Sequence, residues 1–362
     1  MADTAPDLHA SVPPPGAESI VFPFAPPAPD ASVVEVAPGI LWLRMPMPMQ
    51  LDHINIYLLR DGSGADAGWY IVDTGLNTPA CKALWEEVVA TRLDGLPLKG
   101  LVCTHFHYDH AGLARWLTER YAIPLWMTHG EFFTMRALGE RLPEPAPEGL
   151  VLFHQRAGMP AERIAKMLAG LRKDPFMPPQ PESFRRLRAG DRLEIGGRSW
   201  QIVVGEGHSP EHACLYCAEE AILIAGDQLL PRITSNVLVS SMEPEGNPLQ
   251  LWLDSLDRLD RLAPDTLVLP SHERVFRGLR PRVAELHAHH RHQFDLLLAA
   301  LAGGVRLSAF EAMGVLFPRS LKAAEEMMAV GESLAHLAWL RYAGQLTRSL
   351  DEDGVYRFAL AA

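Results

Sequence analysis

The chain has no apolar run approaching the roughly 18 residues that cross a bilayer, so a spanning helix is excluded from the reading. Its opening, Met1-Ala2-Asp3-Thr4, lacks the basic segment and apolar stretch of a secretory signal, and the cytoplasm is the expected compartment. Cysteine is scarce: Cys81, Cys103, Cys214 and Cys217 are four thiols in 362 residues. A chain of this length buries a large core without disulfide staples, so no disulfide framework is expected. Cys214 and Cys217 have CxxC spacing within a strand-like run and no second pair, which reads as buried thiols rather than a redox or metal pair. Basic charge is also short. With 33 Lys and Arg against 44 Asp and Glu, the net charge of −11 leaves no general surface for a polyanion. The expected partner is a small-molecule substrate, with neither nucleic acid nor membrane, and a homodimer is compatible with the composition.

What is present is concentrated in one stretch, Thr104-His105-Phe106-His107-Tyr108-Asp109-His110-Ala111-Gly112. It follows the apolar run Leu101-Val102-Cys103, which reads as the end of a buried strand. Neutral imidazoles and a carboxylate are the donors that Zn²⁺, Fe²⁺ or Mn²⁺ accept. Alternate residues on an extended turn can point two imidazoles at one ion while Asp109 and His110 face a second.

Taken in order, residues 1–30 are rich in Pro and Ala and read as an extension without regular structure. From Val33 the pattern becomes a meander of β-branched and aromatic runs, the last of them ending at Val72-Asp73-Thr74-Gly75. Asp73 either caps that turn or orients a ligand imidazole from behind. Residues 129–185 interrupt the rhythm with two expected helices, about 130–139 and 161–172, joined by Pro-rich links such as 143–147. This insertion reads as a lid or substrate wall. Strand signals then resume, and three more apolar runs end in donor residue types: Gly207-His208, Gly226-Asp227 and Ser271-His272.

The ordered set Asp73-Thr74-Gly75, His105-Phe106-His107-Tyr108-Asp109-His110, Gly207-His208, Gly226-Asp227 and Ser271-His272 resembles the five motifs of the metallo-β-lactamase superfamily of binuclear hydrolases. The resemblance implies an α/β fold, an αββα sandwich of two mixed sheets with the site at one sheet edge, over about residues 31–280. It further implies that His105, His107 and His208 hold a first metal and that Asp109, His110 and His272 hold a second, with Asp227 bridging. Two divalent ions are the implied cofactors, zinc first, with iron or manganese as alternatives. By the same resemblance the pair acidifies a bridging water that attacks the substrate, while Asp227 sets the metal separation and Asp109 positions the nucleophile's proton. Asp227 stands where class B1 β-lactamases carry a cysteine, which favours the glyoxalase-like and RNase-like branches over antibiotic hydrolysis. His212 lies four residues past His208, but the family places its ligand directly after glycine. Many relatives have glycine where this chain has Glu273, a change expected to crowd the pocket mouth. His53, Arg232 and Asn236 are candidate pocket residues, the last two for an anionic group.

Residues 281–362 look like a small, mainly helical winged-helix domain of the kind appended to RNase-like relatives. Eight Lys or Arg against nine Asp or Glu leave it no basic face, so a packing or dimerisation role is expected rather than DNA binding. The histidines between His287 and His292 read as a solvated or interdomain face. Functionally, the leading expectation is hydrolysis of an activated acyl bond, a thioester or lactone. Single-strand RNA cleavage and a mononuclear iron dioxygenase acting on a persulfide are the alternatives.

Overall fold

The computed structural model describes residues 19–49, 51–139, 142–173, 178–319, 321 and 323–362; residues 1–18 of the extension lie outside them. The first apolar runs pair as an antiparallel meander, β1 (Val34–Ala37), β2 (Ile40–Pro46), β3 (His53–Asp61) and β4 (Gly68–Val72). Helix α1 (Pro79–Thr91), capped by the Thr78 hydroxyl on the Cys81 N–H, carries the chain back so that β5 (Leu98–Val102) lies parallel to β4. Helices α2 (Tyr108–Ala111) and α3 (Ala114–Tyr121) lead to β6 (Leu125–Thr128), and β7 (Arg185–Leu187) completes a seven-stranded sheet.

Between β6 and β7 the insertion holds α4 (His129–Leu138), α5 (Glu148–Arg156) and α6 (Ala161–Lys173). Helix α5 corrects the sequence reading, which gave this insertion two helices. Pro147 sits at its N-cap, where a missing N–H costs nothing, and Leu150, Val151 and Phe153 pack onto the core.

The second sheet contains β8 (Arg192–Ile195), β9 (Arg198–Gly205), β10 (His212–Cys217), β11 (Ile222–Gly226) and β12 (Leu267–Pro270), in the spatial order β12-β11-β10-β9-β8. Strand β10 shows why these segments read as unbroken apolar runs. Ala213, Leu215 and Cys217 face the first sheet among Trp42, Val102 and Ile224, whereas Cys214 and Tyr216 face Trp252 and Leu256 of α7 (Pro248–Leu259). Both faces are buried, so no polar alternation is left to see. On the far side of the first sheet, Leu43, Ile56 and Leu58 pack against Trp85 and Val88 of α1 and Leu117 of α3. The result is the helix-sheet-sheet-helix sandwich expected from the resemblance. All four cysteines are buried free thiols.

The C-terminal part consists of α8 (Leu279–Ala300), α9 (Ala309–Leu316), α10 (Ala323–Tyr342) and a hairpin of β13 (Leu346–Leu350) and β14 (Tyr356–Leu360). Ser308 and Glu311 start α9 with a reciprocal capping box. Glu245, before α7, pairs with Arg341 at 3.1 Å and Arg348 at 2.9 Å, tying this part to the sandwich. The Val239 N–H donates to the Gly331 carbonyl of α10 at 3.2 Å.

The α8 histidines are not one face, which corrects the sequence reading. His292 is exposed, His287 pairs with Asp257 at 2.8 Å, and His290 is buried against Trp252. His290 Nδ1 donates to His336 Nε2 at 3.0 Å, and His336 Nδ1 donates to the Glu332 carbonyl at 2.8 Å. Burial, and for His290 the neighbouring His336, lowers the two rings to about 2 and about 4. Unfolded histidines take up protons near pH 6.5, so below that value the unfolded chain binds more protons than the native one. The stability contributed by this pair is therefore complete above about pH 6.5 and is lost as the pH falls below it, down to about 4 for His336 and about 2 for His290. The urea midpoint is expected to drop between pH 7 and pH 5, and to drop less in the double variant His290→Gln/His336→Gln. An equal drop in both proteins would remove the pair from the account.

Candidate metal centre

Parallel strands β4, β5, β6 and the pair β11–β12 end at one edge of the sandwich, and the turns that follow them deliver the polar residues. Asp73 follows β4, His105 to His110 follow β5, Asp227 follows β11 and His272 follows β12; His208 lies between antiparallel β9 and β10. The structure brings all seven expected donors together in two groups. His105, His107, His208 and Asp227 form one, and Asp109, His110 and His272 the other, with the donor atoms of each group within 4.8 Å of one another. Gly226 makes the approach of Asp227 feasible. Its φ is +52°, and a Cβ there would overlap the His212 ring.

The outer ring nitrogens fix which way the lone pairs face. His208 Nδ1 donates to the Asn236 carbonyl at 2.7 Å, and His272 Nδ1 donates to the His53 carbonyl at 2.9 Å. His110 Nδ1 donates to Asp73 Oδ2 at 2.8 Å. The Thr104 hydroxyl donates to the same oxygen at 2.9 Å, which leaves it to accept from His105 Nδ1 at 3.0 Å. Each of these four rings is thereby held in the tautomer whose Nε2 carries a lone pair, and all four Nε2 atoms face the cluster. His105 Nε2 stands 3.2 Å from His208 Nε2 and 2.8 Å from His107 Nδ1, and buried His110 Nε2 has no hydrogen-bond partner among the described residues.

Asp227 joins the two groups. Its Oδ2 lies 3.4 Å from His208 Nε2, and its Oδ1 lies 3.4 Å from His272 Nε2 and 3.5 Å from His110 Nε2. The Ser271 hydroxyl donates to Oδ1, and His212 Nε2 accepts from the Asp227 N–H at 3.1 Å. Asp109 Oδ2 sits 3.3 Å from His272 Nε2.

Electrostatics divide the site. Burial and the neighbouring His208 lower His107 to about 3, and burial with the adjoining imidazoles holds His105 well below its ordinary value. At His110 and His272 burial acts in the same sense, but the carboxylates of Asp109 and Asp227 outweigh it and raise both rings. Burial opposes ionisation of Asp227, yet His272 and His110 hold its carboxyl well below the usual range. Lone pairs and carboxylates converging in a dry pocket repel one another unless a cation stands among them. The donor chemistry, three imidazoles with one carboxylate oxygen beside two imidazoles with carboxylate oxygens, fits divalent transition-metal ions.

The candidate pocket residues fare differently. His53 is buried beside His272; its Nδ1 donates to Asp52 at 2.6 Å and its Nε2 accepts from the Glu273 N–H at 3.1 Å. Asn236 reaches the site through its backbone carbonyl. Arg232 is exposed and lies over the Phe22 ring at 5.3 Å, and the arginine that grips its loop is buried Arg282, donating to the carbonyls of Leu230 and Ile233. The exposed Arg232 is thus turned to Phe22 rather than held in the site as the sequence reading expected. Glu273 has φ +69°, a left-handed backbone state that glycine adopts freely and other residues rarely.

One residue escaped the sequence reading. Glu131, in the first turn of α4, is fully buried and accepts from the Phe106 N–H at 2.9 Å, the Ser209 hydroxyl at 2.6 Å and the Glu211 N–H at 2.7 Å. Burial pushes its carboxyl up to about 7 against these three donors.

Comparison with known proteins supplies the family. The metallo-beta-lactamase superfamily matches residues 49–272, and the metallo-beta-lactamase-like C-terminal domain matches residues 294–361. A probable metallo-hydrolase of Bacillus subtilis is 22% identical over 332 residues, covering 88% of this chain and 97% of that one. A hydroxyacylglutathione hydrolase of a Synechococcus species is 26% identical over 225 residues, 62% of this chain and 66% of that protein. Among solved structures, a beta-lactamase domain protein from Burkholderia ambifaria is 42% identical with a TM-score of 0.87, covering 94% of this chain and 98% of that one. A metallo-beta-lactamase family protein from Thermus thermophilus is 31% identical with a TM-score of 0.73, covering 90% and 99%. The chain belongs to the metallo-beta-lactamase superfamily and is a metal-dependent hydrolase.

Proposed function

We propose that the protein is a binuclear hydrolase that cleaves an activated acyl bond, a thioester or lactone, in a small substrate. The observation that carries the binuclear reading is Asp227, which turns one carboxylate oxygen towards each donor group. When bound, two divalent ions, zinc in the first instance with iron or manganese as alternatives, supply Lewis acidity and a water acidic enough to attack near neutral pH. The chain's own residues do the rest. Asp227 keeps the two groups at a fixed separation, and the acceptors behind His105, His110, His208 and His272 hold each ring in its donor tautomer. Asp109, directed at His272, is placed to hold the proton released as the acyl bond is attacked.

Relatives named hydroxyacylglutathione hydrolase support the acyl class. Residues 31–280 form the catalytic unit in this reading, and residues 281–362 a packing module able to join two copies.

Two measurements test the proposal together: elemental analysis of the purified chain, and hydrolysis of acyl-thioester and lactone panels. The expected result is two divalent ions per chain and turnover on at least one panel. A chain inactive on both panels that cleaves single-stranded RNA in a metal-dependent way would replace the substrate class. One iron per chain with persulfide oxidation would replace the reaction.

A further inference from the structure

We infer that Glu131 is a positioning residue for the His105, His107 and His208 group, its carboxylate setting the distance between two ligand loops that belong to different sheets. The inference rests on the reading of these three histidines as ligands of one ion. His105 and His107 hang from the end of β5 in the first sheet, and His208 follows β9 in the second, so neither sheet's own ladder fixes the gap between them. Glu131 spans that gap. One oxygen accepts from Phe106, which lies between the two first-sheet histidines, and the other accepts from Ser209 and Glu211, which follow His208. The brace is reciprocal: the Glu211 carboxylate accepts from the Gly130 N–H at 2.7 Å, and its carbonyl accepts from the Thr128 hydroxyl at 2.7 Å.

The chemistry of the partners requires a carboxylate here. All three are donors, two of them backbone N–H groups that cannot reverse, and only a carboxylate accepts on both oxygens. An amide of the same shape must turn its NH₂ onto a donor, and in a buried site no water relieves that conflict. Residues filling space alone would need no such match. Glu131 is outside both donor groups, so it acts on the ion through the loops and not by ligation.

The test uses the full-length chain, stripped of metal and titrated with Zn²⁺ against a chromophoric chelator. Wild type is expected to show two binding steps. In Glu131→Gln one step weakens by about 10- to 100-fold, the scale for groups that support a metal ligand, while the other step stays at its wild-type value. The weakened step is the one that His107→Ala removes. Ser209→Ala, which deletes one donor and leaves the carboxylate, shifts the same step by less and covers the case of a poorly folding Glu131 variant. Two unchanged steps in Glu131→Gln would overturn the inference, as would an equal loss in both steps accompanied by a lower unfolding midpoint of the stripped chain. A wild-type chain that takes up no Zn²⁺ would overturn the reading of the site, and the inference with it.

Discussion

On the binuclear proposal, Asp227→Ala is expected to weaken the hold on both ions and to lower turnover by about a hundred- to a thousandfold, the scale on which removal of a preorganised electrostatic group acts in an active site. The size follows from the position of the side chain. One oxygen serves the imidazoles of His208 and His105, the other those of His110 and His272, so a single truncation removes a negative donor from each group. Asp227→Asn separates the two contributions. Its amide keeps one acceptor, and its NH₂ faces the lone pair of whichever imidazole it turns to, so one ion is expected to be retained and the other lost. Metal per chain and hydrolysis rate, measured on the same preparations, provide the check. Full metal content with wild-type turnover in Asp227→Ala would refute the bridging role.

Gly207→Ala is expected to cost the fold about 2–5 kcal/mol. The estimate adds about 1–2 kcal/mol for an L-residue held in a left-handed conformation to about 1–3 kcal/mol for overpacking. Gly207 has φ +93°, and a Cβ there would run into the Pro248 carbonyl and the backbone of Trp252, the first two turns of α7. Neither obstacle is the flexible end of a side chain. Such a cost is a large share of the roughly 5–15 kcal/mol that holds a domain together, and the damage falls on the turn that aims His208. Thermal unfolding of the stripped chain should show a lower midpoint. Gly170→Ala, in helix α6 where no described residue lies within 4 Å of an added Cβ, is the matched control and should leave the midpoint unchanged or raised. If the two variants unfold alike, the close approach of α7 is not what requires glycine before His208.

The donors were legible because each sits within a few residues of the end of its own strand. An apolar run, a turn and a donor residue form a local pattern, and the β5 loop shows it most densely. What supports the donors is not local. His53 and Asn236 meet the ligand rings through carbonyl oxygens, which every residue type possesses, so their side-chain types marked the right positions without showing that role. Arg232 stands five residues past Asp227 in sequence, yet the turn directs it outward over Phe22. Glu131 reads in sequence as an ordinary acidic residue in a first helical turn, where the helix dipole favours it. Only the arrival of Phe106 from one side and Ser209 from the other reveals its burial. The Pro-rich approach to α5 disguised a helix start as a link, and His290 was separable from its neighbours only once α10 supplied His336.

The origin of the donors in two sheets also bears on how the protein behaves before it is folded. His105 and His208 are 103 residues apart, and neither donor group is complete until both sheets have formed and closed. A nascent or partly unfolded chain presents only fragments of the cage, so the proposed ions are expected to bind the native state in strong preference to any other. Free metal at a hundred times its dissociation constant would then add about 2.7 kcal/mol to the folding equilibrium for each independent site. On the proposed binuclear reading, metal supply is expected to set how much of the chain escapes proteolysis as well as how much of it is active.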